Sequence, residues 1–249
     1  PPWQTVVLVL VAVLAARNAG HAFNRWTDRK LDALNPRTQG RALVTGQFSP
    51  GFALTLTVAS AGMVVVCAFL LNPLSLELAP VALALVFGYS YTKRFTSLTT
   101  AFLGLVEALI PAGVFIAVTG TLPPVAVVAV FAILAWGTAF ETIHSLGDLS
   151  MDQRLGLFSL PRRLGLRGSL GLVAALHAVA LVLFGLFGAM EHFGLPFWGA
   201  LGAMAGIVAY SDVTLPRHLD RVRVPFQRHF LLALIFLAGV VASLAVPGL

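Results

Sequence analysis

Residues 122–152 read LPPVAVVAVFAILAWGTAFETIHSLGDLSMD. Two prolines open the stretch, no charge follows as far as Phe140, and then Glu141, His144, Asp148 and Asp152 arrive together. An apolar run of this length, wound as a helix at about 1.5 Å per residue, crosses the roughly 30 Å hydrocarbon core of a bilayer. A membrane barrel strand would alternate apolar and polar residues, and this run does not. The stretch therefore predicts a membrane-crossing helix over 122–144 that ends in an acidic cluster.

The whole chain repeats that pattern. Its 249 residues are 58% hydrophobic and 10% charged, with a mean hydropathy of +0.91. Soluble domains carry about 25% charged residues, so a soluble enzyme, a disordered chain and a disulfide scaffold are excluded. The single Cys67 lies in an apolar run and forms no internal disulfide. Apolar runs between polar breaks predict an all-α polytopic membrane bundle with helices at 3–24, 52–71, 78–92, 98–118, 122–144, 168–190, 195–212 and 229–247. Pro50, Pro73, Pro80, Pro123, Pro124, Pro196 and Pro225 fall in or beside the breaks. The whole of 1–249 reads as one membrane domain.

The net charge of +6 is distributed unevenly. The first loop holds Arg25, Arg29, Lys30, Arg37 and Arg41, the third Lys93 and Arg94, the fifth Arg154, Arg162, Arg163 and Arg167, and the seventh Arg217, Arg221, Arg223 and Arg228. The even loops have no Lys or Arg; only Arg17 lies inside a span. Positive loops stay in the cytoplasm, which places the odd loops inside and explains the basic balance without nucleic acid.

Five of the ten carboxylates form two clusters at the inner ends of helices that run from outside to inside. Asn24, Asp28 and Asp32 are spaced by four and share a helical face. Glu141, His144, Asp148 and Asp152 also read as one face. Like charges at i and i+4 repel, so each cluster calls for a counter-charge. Hard carboxylate oxygens suit Mg²⁺, which takes one or two carboxylates and fills its sphere with water and phosphate oxygens. Two facing clusters are suited to two Mg²⁺ ions on one diphosphate, with Arg and Lys supplying further phosphate contacts. The plainer alternative makes the aspartates solvated caps paired with Arg29, Lys30 and Arg154.

These motifs resemble the UbiA superfamily of intramembrane prenyltransferases. Asn24, Asp28 and Asp32 match its NxxxDxxxD motif, and Asp148 and Asp152 match its DxxxD motif, with Glu141 in place of an upstream Asp. Asn35-Pro36-Arg37-Thr38 with Arg41 resembles the loop after the first motif. Tyr89 to Arg94 resembles its Tyr-xxx-Lys-Arg segment, and Gly156 and Ser159 match the segment after the second. Within the superfamily, 4-hydroxybenzoate polyprenyltransferases and relatives in menaquinone synthesis are most similar. Arg25, His144 and Phe158 depart from the common pattern, where an acidic residue, Tyr and Lys are usual. The Asn24-Arg25 form resembles the group linked to the futalosine route to menaquinone. The resemblance implies nine spans, hence a helix before Pro1, and a central cavity opening to the cytoplasm.

It also implies the chemistry. An allylic polyprenyl diphosphate ionises and an aromatic ring such as 4-hydroxybenzoate captures the cation, in ubiquinone or menaquinone biosynthesis. Asp28 and Asp32, helped by Asn24, would hold one Mg²⁺, and Asp148 and Asp152 the other. Lys93, Arg94, Arg41 and Arg154 would neutralise diphosphate; Arg25, Tyr89 and Glu141 complete the substrate-binding set. Phe23, Trp136 and Phe140 either shield the cation or serve as packing. Arg17, about 16 Å deeper than Asp28 on the same face, either recognises an acceptor carboxylate or diphosphate or pairs with Glu107. His21 reads as a packing or hydrogen-bonding residue. His144 either orients the acceptor or bonds its neighbours. The expected setting is a prokaryotic plasma membrane, with the site facing the cytoplasm. The rival is a cation-coupled transporter using Arg17, Glu107 and Glu141. A CDP-alcohol phosphotransferase is excluded by the absence of its DGxxAR motif, and no HExxH or Walker-type loop supports zinc or ATP.

Overall fold

Prolines and small polar residues set the helix starts. A proline in the first turn costs no hydrogen bond, because the first N–H groups have no intrahelical acceptor. Pro50, Pro73, Pro124, Pro161 and Pro196 all take that position. Ser49, Asn72 and Ser159 cap three of these helices, accepting the N–H of Phe52, Ser75 and Arg162 at 3.1, 2.9 and 3.4 Å.

The computed structural model describes residues 1–217 and 223–246, with side chains omitted at 217 and 223–226. Arg221 of the seventh basic loop lies outside the described residues, as do the side chains of Arg217 and Arg223. Among the described residues the chain is helical: α1 (Trp3–Leu34), α2 (Pro50–Leu71), α3 (Pro73–Thr92), α4 (Thr99–Thr119), α5 (Pro124–Leu146), α6 (Leu149–Arg154), α7 (Leu160–Met190), α8 (Leu195–Thr214) and α9 (Arg223–Ala245). The eight expected helices are all present, and six-residue α6 is an addition. Seven of the eight are long and apolar enough to cross a membrane. The other, α8, is diluted by Gly199, Gly202 and Gly206 and ends in Ser211-Asp212. The chain is an integral membrane protein. Side chains such as Trp3, Val7, Leu10 and Leu14 of α1 are exposed in the isolated chain, as befits a surface solvated by lipid.

Three expectations need correction. The first helix continues ten residues past Asn24, because 25–34 contain no helix breaker before Asn35-Pro36 stops it. Pro80 lies within α3, not at a break; membrane helices tolerate such prolines when neighbours satisfy the freed carbonyl. The sixth span starts at Leu160, not 168, and is interrupted at Gly165, whose φ of 68° is a left-handed conformation suited to glycine.

The chain divides into two compact units: Pro1–Phe95 with Leu109–Leu122, and Thr96–Ala108 with Pro123–Leu249. In the first, α1 buries Ala15, Ala19 and Ala22, and α2 buries Ala53, Thr57 and Ser60. Small residues of this kind let membrane helices approach closely. In the second, Ala132 and Ala135 of α5 pack with Ala180 and Phe184 of α7, and Met204 and Val208 of α8 pack with Leu232 of α9. The first half of α4 meets α5 through glycine. A Cβ on Gly104 would press on Leu134 O and the Thr138 backbone, and one on Gly137 would collide with the Glu107 carboxylate.

Candidate active site

The first acidic cluster is built by α1, α3 and the loop after α1. Asn24, Asp28 and Asp32 share one face of a continuous helix, as their spacing predicts. Asp28 is 1% exposed and Asp32 6%. A carboxylate that deep requires compensation. Asp28 Oδ2 accepts from Lys93 Nζ at 2.7 Å and from the Asn24 amide at 3.2 Å. Arg94 lies 3.4 Å from Asp28 Oδ1 and donates to Thr27 O at 3.1 Å. Asn24 also donates to buried Ser90 at 3.4 Å. Tyr89, half-buried, precedes Ser90 on α3, and the Arg94 guanidinium lies 5.2 Å from the centre of the Tyr91 ring.

Asp32 is served by the loop. Asn35 Oδ1 accepts the Arg37 N–H at 2.9 Å, an Asx turn. Asn35 O accepts the N–H groups of Thr38 and Gln39. The chain thus reverses, Thr38 Oγ1 donates to Asp32 O at 2.9 Å, and Arg41 comes back to Asp32 Oδ1 at 2.5 Å. The alternative pairing with Arg29 and Lys30 is therefore replaced by Lys93, Arg94 and Arg41. Arg29 instead donates to Trp26 O at 2.6 Å and lies over the Trp26 ring.

Asp32 and Arg41 also line a cavity of about 300 Å³ with Asn18, His21, Arg25, Phe48 and Phe52. Arg17 is exposed on α1. Phe23 packs with Trp26, Phe87 and Tyr91.

The second cluster is not one helical face. The α5 helix ends at Leu146, Gly147 and Asp148 form a turn, and α6 follows. Glycine is a poor helix interior residue, and here it separates Glu141 and His144 on α5 from Asp148 and Asp152. Asp148 stands at the start of α6, where its carbonyl accepts the Asp152 N–H at 2.9 Å. Glu141, His144, Asp148 and Asp152 are half-buried and Arg154 is exposed. The His144 ring meets Phe140 at 4.6 Å between centres. Glu141 and Glu107 lie within electrostatic reach of one another.

No group of three or more His, Cys, Asp or Glu side chains gathers around a metal position among the described residues. Each cluster offers a pair of aspartates. That donor set fits Mg²⁺, which uses few carboxylates and depends on phosphate and water for the rest, and does not fit a closed transition-metal cage. Ser90 and Thr38 lie inside the Tyr89–Arg94 and Asn35–Thr38 segments without a role read for them there, and His177, Asp212 and His229 stand outside every motif read from the sequence. Lone His and Asp residues inside apolar runs were the available signal, since polar groups in a membrane need partners.

The profile of the UbiA prenyltransferase family matches residues 1–235. The chain is 33% identical over 222 residues, 89% of its length and 76% of the relative's, to a 4-hydroxybenzoate octaprenyltransferase of Azoarcus sp. (strain BH72). The apo structure of a UbiA homolog from Aeropyrum pernix K1 superposes with a TM-score of 0.88 at 30% identity, covering 97% of this chain and 90% of that one. A UbiA homolog from Archaeoglobus fulgidus bound to DMAPP and Mg²⁺ has a TM-score of 0.67 at 17% identity, covering 98% and 88%, and shares the fold.

Proposed function

The chain belongs to the UbiA prenyltransferase family, and on that premise we propose that it transfers a polyprenyl group from an allylic diphosphate to an aromatic acceptor such as 4-hydroxybenzoate, in quinone biosynthesis. A prenyltransferase family displaces the transporter alternative. The observation that carries the reading is the buried Asp28, met by Lys93 and Arg94, beside Asp32, met by Arg41. Carboxylates for metal and cations for phosphate stand next to each other, each neutralising the other.

The chain acts as one catalytic domain in the plasma membrane of a prokaryotic cell, working from the cytoplasmic side. Asp28 and Asp32, with the Asn24 amide oxygen, would hold one Mg²⁺, and Asp148 and Asp152 would hold a second. Magnesium, when bound, stabilises the charge that builds on the departing diphosphate. Lys93, Arg94, Arg41 and Arg154 exchange carboxylate or water for phosphate oxygens and neutralise the same charge. Arg25 and Tyr89 extend that contact. Ser90 holds Asn24 in register. Arg17, deeper on α1, takes the acceptor's carboxylate, and Glu141 and His144 orient its ring. Phe140 and Trp136 offer π faces to the allylic cation and exclude water.

The Asn24-Arg25 pairing favours a second acceptor, a dihydroxynaphthoate of menaquinone synthesis. Purified protein with Mg²⁺ and geranylgeranyl diphosphate, given 4-hydroxybenzoate, dihydroxynaphthoates and glycerol phosphates in parallel, tests both. C-prenylation of 4-hydroxybenzoate supports the first reading and of a dihydroxynaphthoate the second. Transfer only to glycerol phosphate, or turnover without divalent metal, overturns the proposal.

A further inference from the structure

Arg41, Lys93 and Arg94 find their counter-charge within the chain, on Asp28 and Asp32. The fifth basic loop has no such supply. Residues 153–190 contain Arg154, Arg162, Arg163 and Arg167 but not one Asp or Glu. Among the described residues, Arg162, Arg163 and Arg167 have no carboxylate partner. All three are exposed, as is every residue from 162 to 168. Apolar side chains stand among them: Phe158 is 47% exposed, and Leu164 and Leu166 are each 42% exposed.

The backbone holds this mixture at the end of a membrane helix. Gly165, at φ 68° and ψ 178°, breaks α7, so the turn over 160–164 does not continue the axis of the span. After Arg167 no Asp, Glu, Lys or Arg follows before Glu191, so Arg167 marks a border of the hydrocarbon core. Helix stability does not account for arginines here. Arg162 and Arg163 lie in the first turn of α7, where the helix dipole disfavours cations. Exposed Phe158, Leu164 and Leu166 beside them suit the layer where acyl chains give way to headgroups. The segment is also linked to the second aspartate pair. Asp152 O accepts the Leu157 N–H at 2.9 Å, and Leu157 O accepts the Arg162 guanidinium at 2.6 Å. The same guanidinium lies 6.0 Å from the centre of the Phe158 ring.

We propose that Arg163 and Arg167, with Arg162 beside them, bind the phosphate of an anionic phospholipid whose acyl chains run along Phe158, Leu164 and Leu166. A guanidinium suits phosphate because its N–H groups reach two oxygens at once. A zwitterionic lipid brings its own cation and satisfies the arginines less well. Soluble phosphate meets the arginines but not the apolar side chains. The inner leaflet, where the basic loops place this segment, is the anionic one. One consequence rests on the reaction proposed above. Headgroup binding orders 155–162 and, through Leu157, steadies the turn that carries Asp152, so prenyl transfer is faster in an anionic bilayer.

The test purifies the full chain in neutral detergent with equal amounts of phosphatidylglycerol and phosphatidylcholine and counts retained lipid by native mass spectrometry. The wild type should retain phosphatidylglycerol in preference. Arg163→Gln and Arg167→Gln should each weaken that retention about fivefold, with thermal unfolding unchanged. Lys30→Gln, in the first basic loop, should leave it unaltered. Equal retention of the two lipids by the wild type, or an equal loss in Lys30→Gln, marks diffuse attraction to basic loops and overturns the site. Excess inorganic diphosphate should not displace the lipid; displacement assigns the arginines to the donor's diphosphate and overturns the site as well. In phosphatidylcholine bilayers, added phosphatidylglycerol should slow backbone hydrogen exchange over 155–162 and raise kcat severalfold. The double variant Arg163→Gln, Arg167→Gln should show neither response. A kcat that follows phosphatidylglycerol equally in the double variant overturns the coupling to Asp152. A wild type that prenylates no acceptor in any bilayer sinks the parent reaction alone, because lipid retention and hydrogen exchange still decide the site.

Discussion

Asp28 and Asp148 open sequence motifs of the same spacing, yet their units treat them differently. Asp28 sits inside a 32-residue helix, is 1% exposed, and meets Lys93 and Arg94 from beyond α3. Asp148 is half-buried at a turn and starts a helix of only six residues. One carboxylate is fixed by helix and ion pairs together. The other stands on the backbone turn at Gly147. Both types of support place an acidic oxygen, but they fail in different ways, and substitutions separate them.

The largest expected effect is Asp28→Ala. It removes a proposed metal ligand and leaves Lys93 and Arg94 without their carboxylate. Turnover should fall by on the order of 10³-fold or more, and stability by about 3 kcal/mol, the low end for breaking a buried pair because both cations are partly exposed. Prenyl transfer and thermal unfolding in detergent measure the two. Asp148→Ala should cost a similar factor in turnover but shift the melting temperature by less than half as much. Equal destabilisation by both would erase the distinction between the clusters.

Gly147→Ala sharpens it from the other side. Gly147 has φ −68° and ψ −18°, which alanine adopts without strain. The substitution should stabilise the end of α5 by up to about 1 kcal/mol, while turning Asp148 off its position and lowering kcat about tenfold. An unchanged kcat with a raised melting temperature would show that the turn does not position Asp148. Arg41→Gln comes next. The pair with Asp32 is partly exposed, so stability should change by under about 1 kcal/mol, while KM for the diphosphate rises about tenfold. Steady-state kinetics with varied donor resolve this. The smallest effect is Thr38→Val, which deletes the bond to Asp32 O at 2.9 Å. About 1 kcal/mol of stability and a severalfold rise in the same KM are expected, with kcat unchanged.

Much of the fold was legible because its signals are local. Apolar runs, first-turn prolines and capping residues depend only on neighbours a few positions away, and the eight long helices came out within a few residues at most ends. The exceptions were also local but weaker: the polar but helix-compatible 25–34 extended α1, and Gly165 interrupted α7 in a segment whose arginines read as loop. The candidate site was legible in part. The spacing of Asn24, Asp28 and Asp32 gave a true helical face, whereas the same arithmetic on Glu141 to Asp152 assumed a helix that Gly147 ends.

Hydropathy and periodicity by themselves determined that this chain is a bundle of membrane helices with acidic clusters at two helix ends. They act through burial of the chain's own segments in lipid, which requires no knowledge of partners. Only the tertiary structure decided which charges meet. Lys93 reaches Asp28 across 65 positions, Arg41 returns to Asp32 through an Asx turn, and His177 finds Asp212 and His229 on two other helices. A buried polar group must have a partner, but its identity is set by helix packing, and packing depends on contacts that no local pattern encodes.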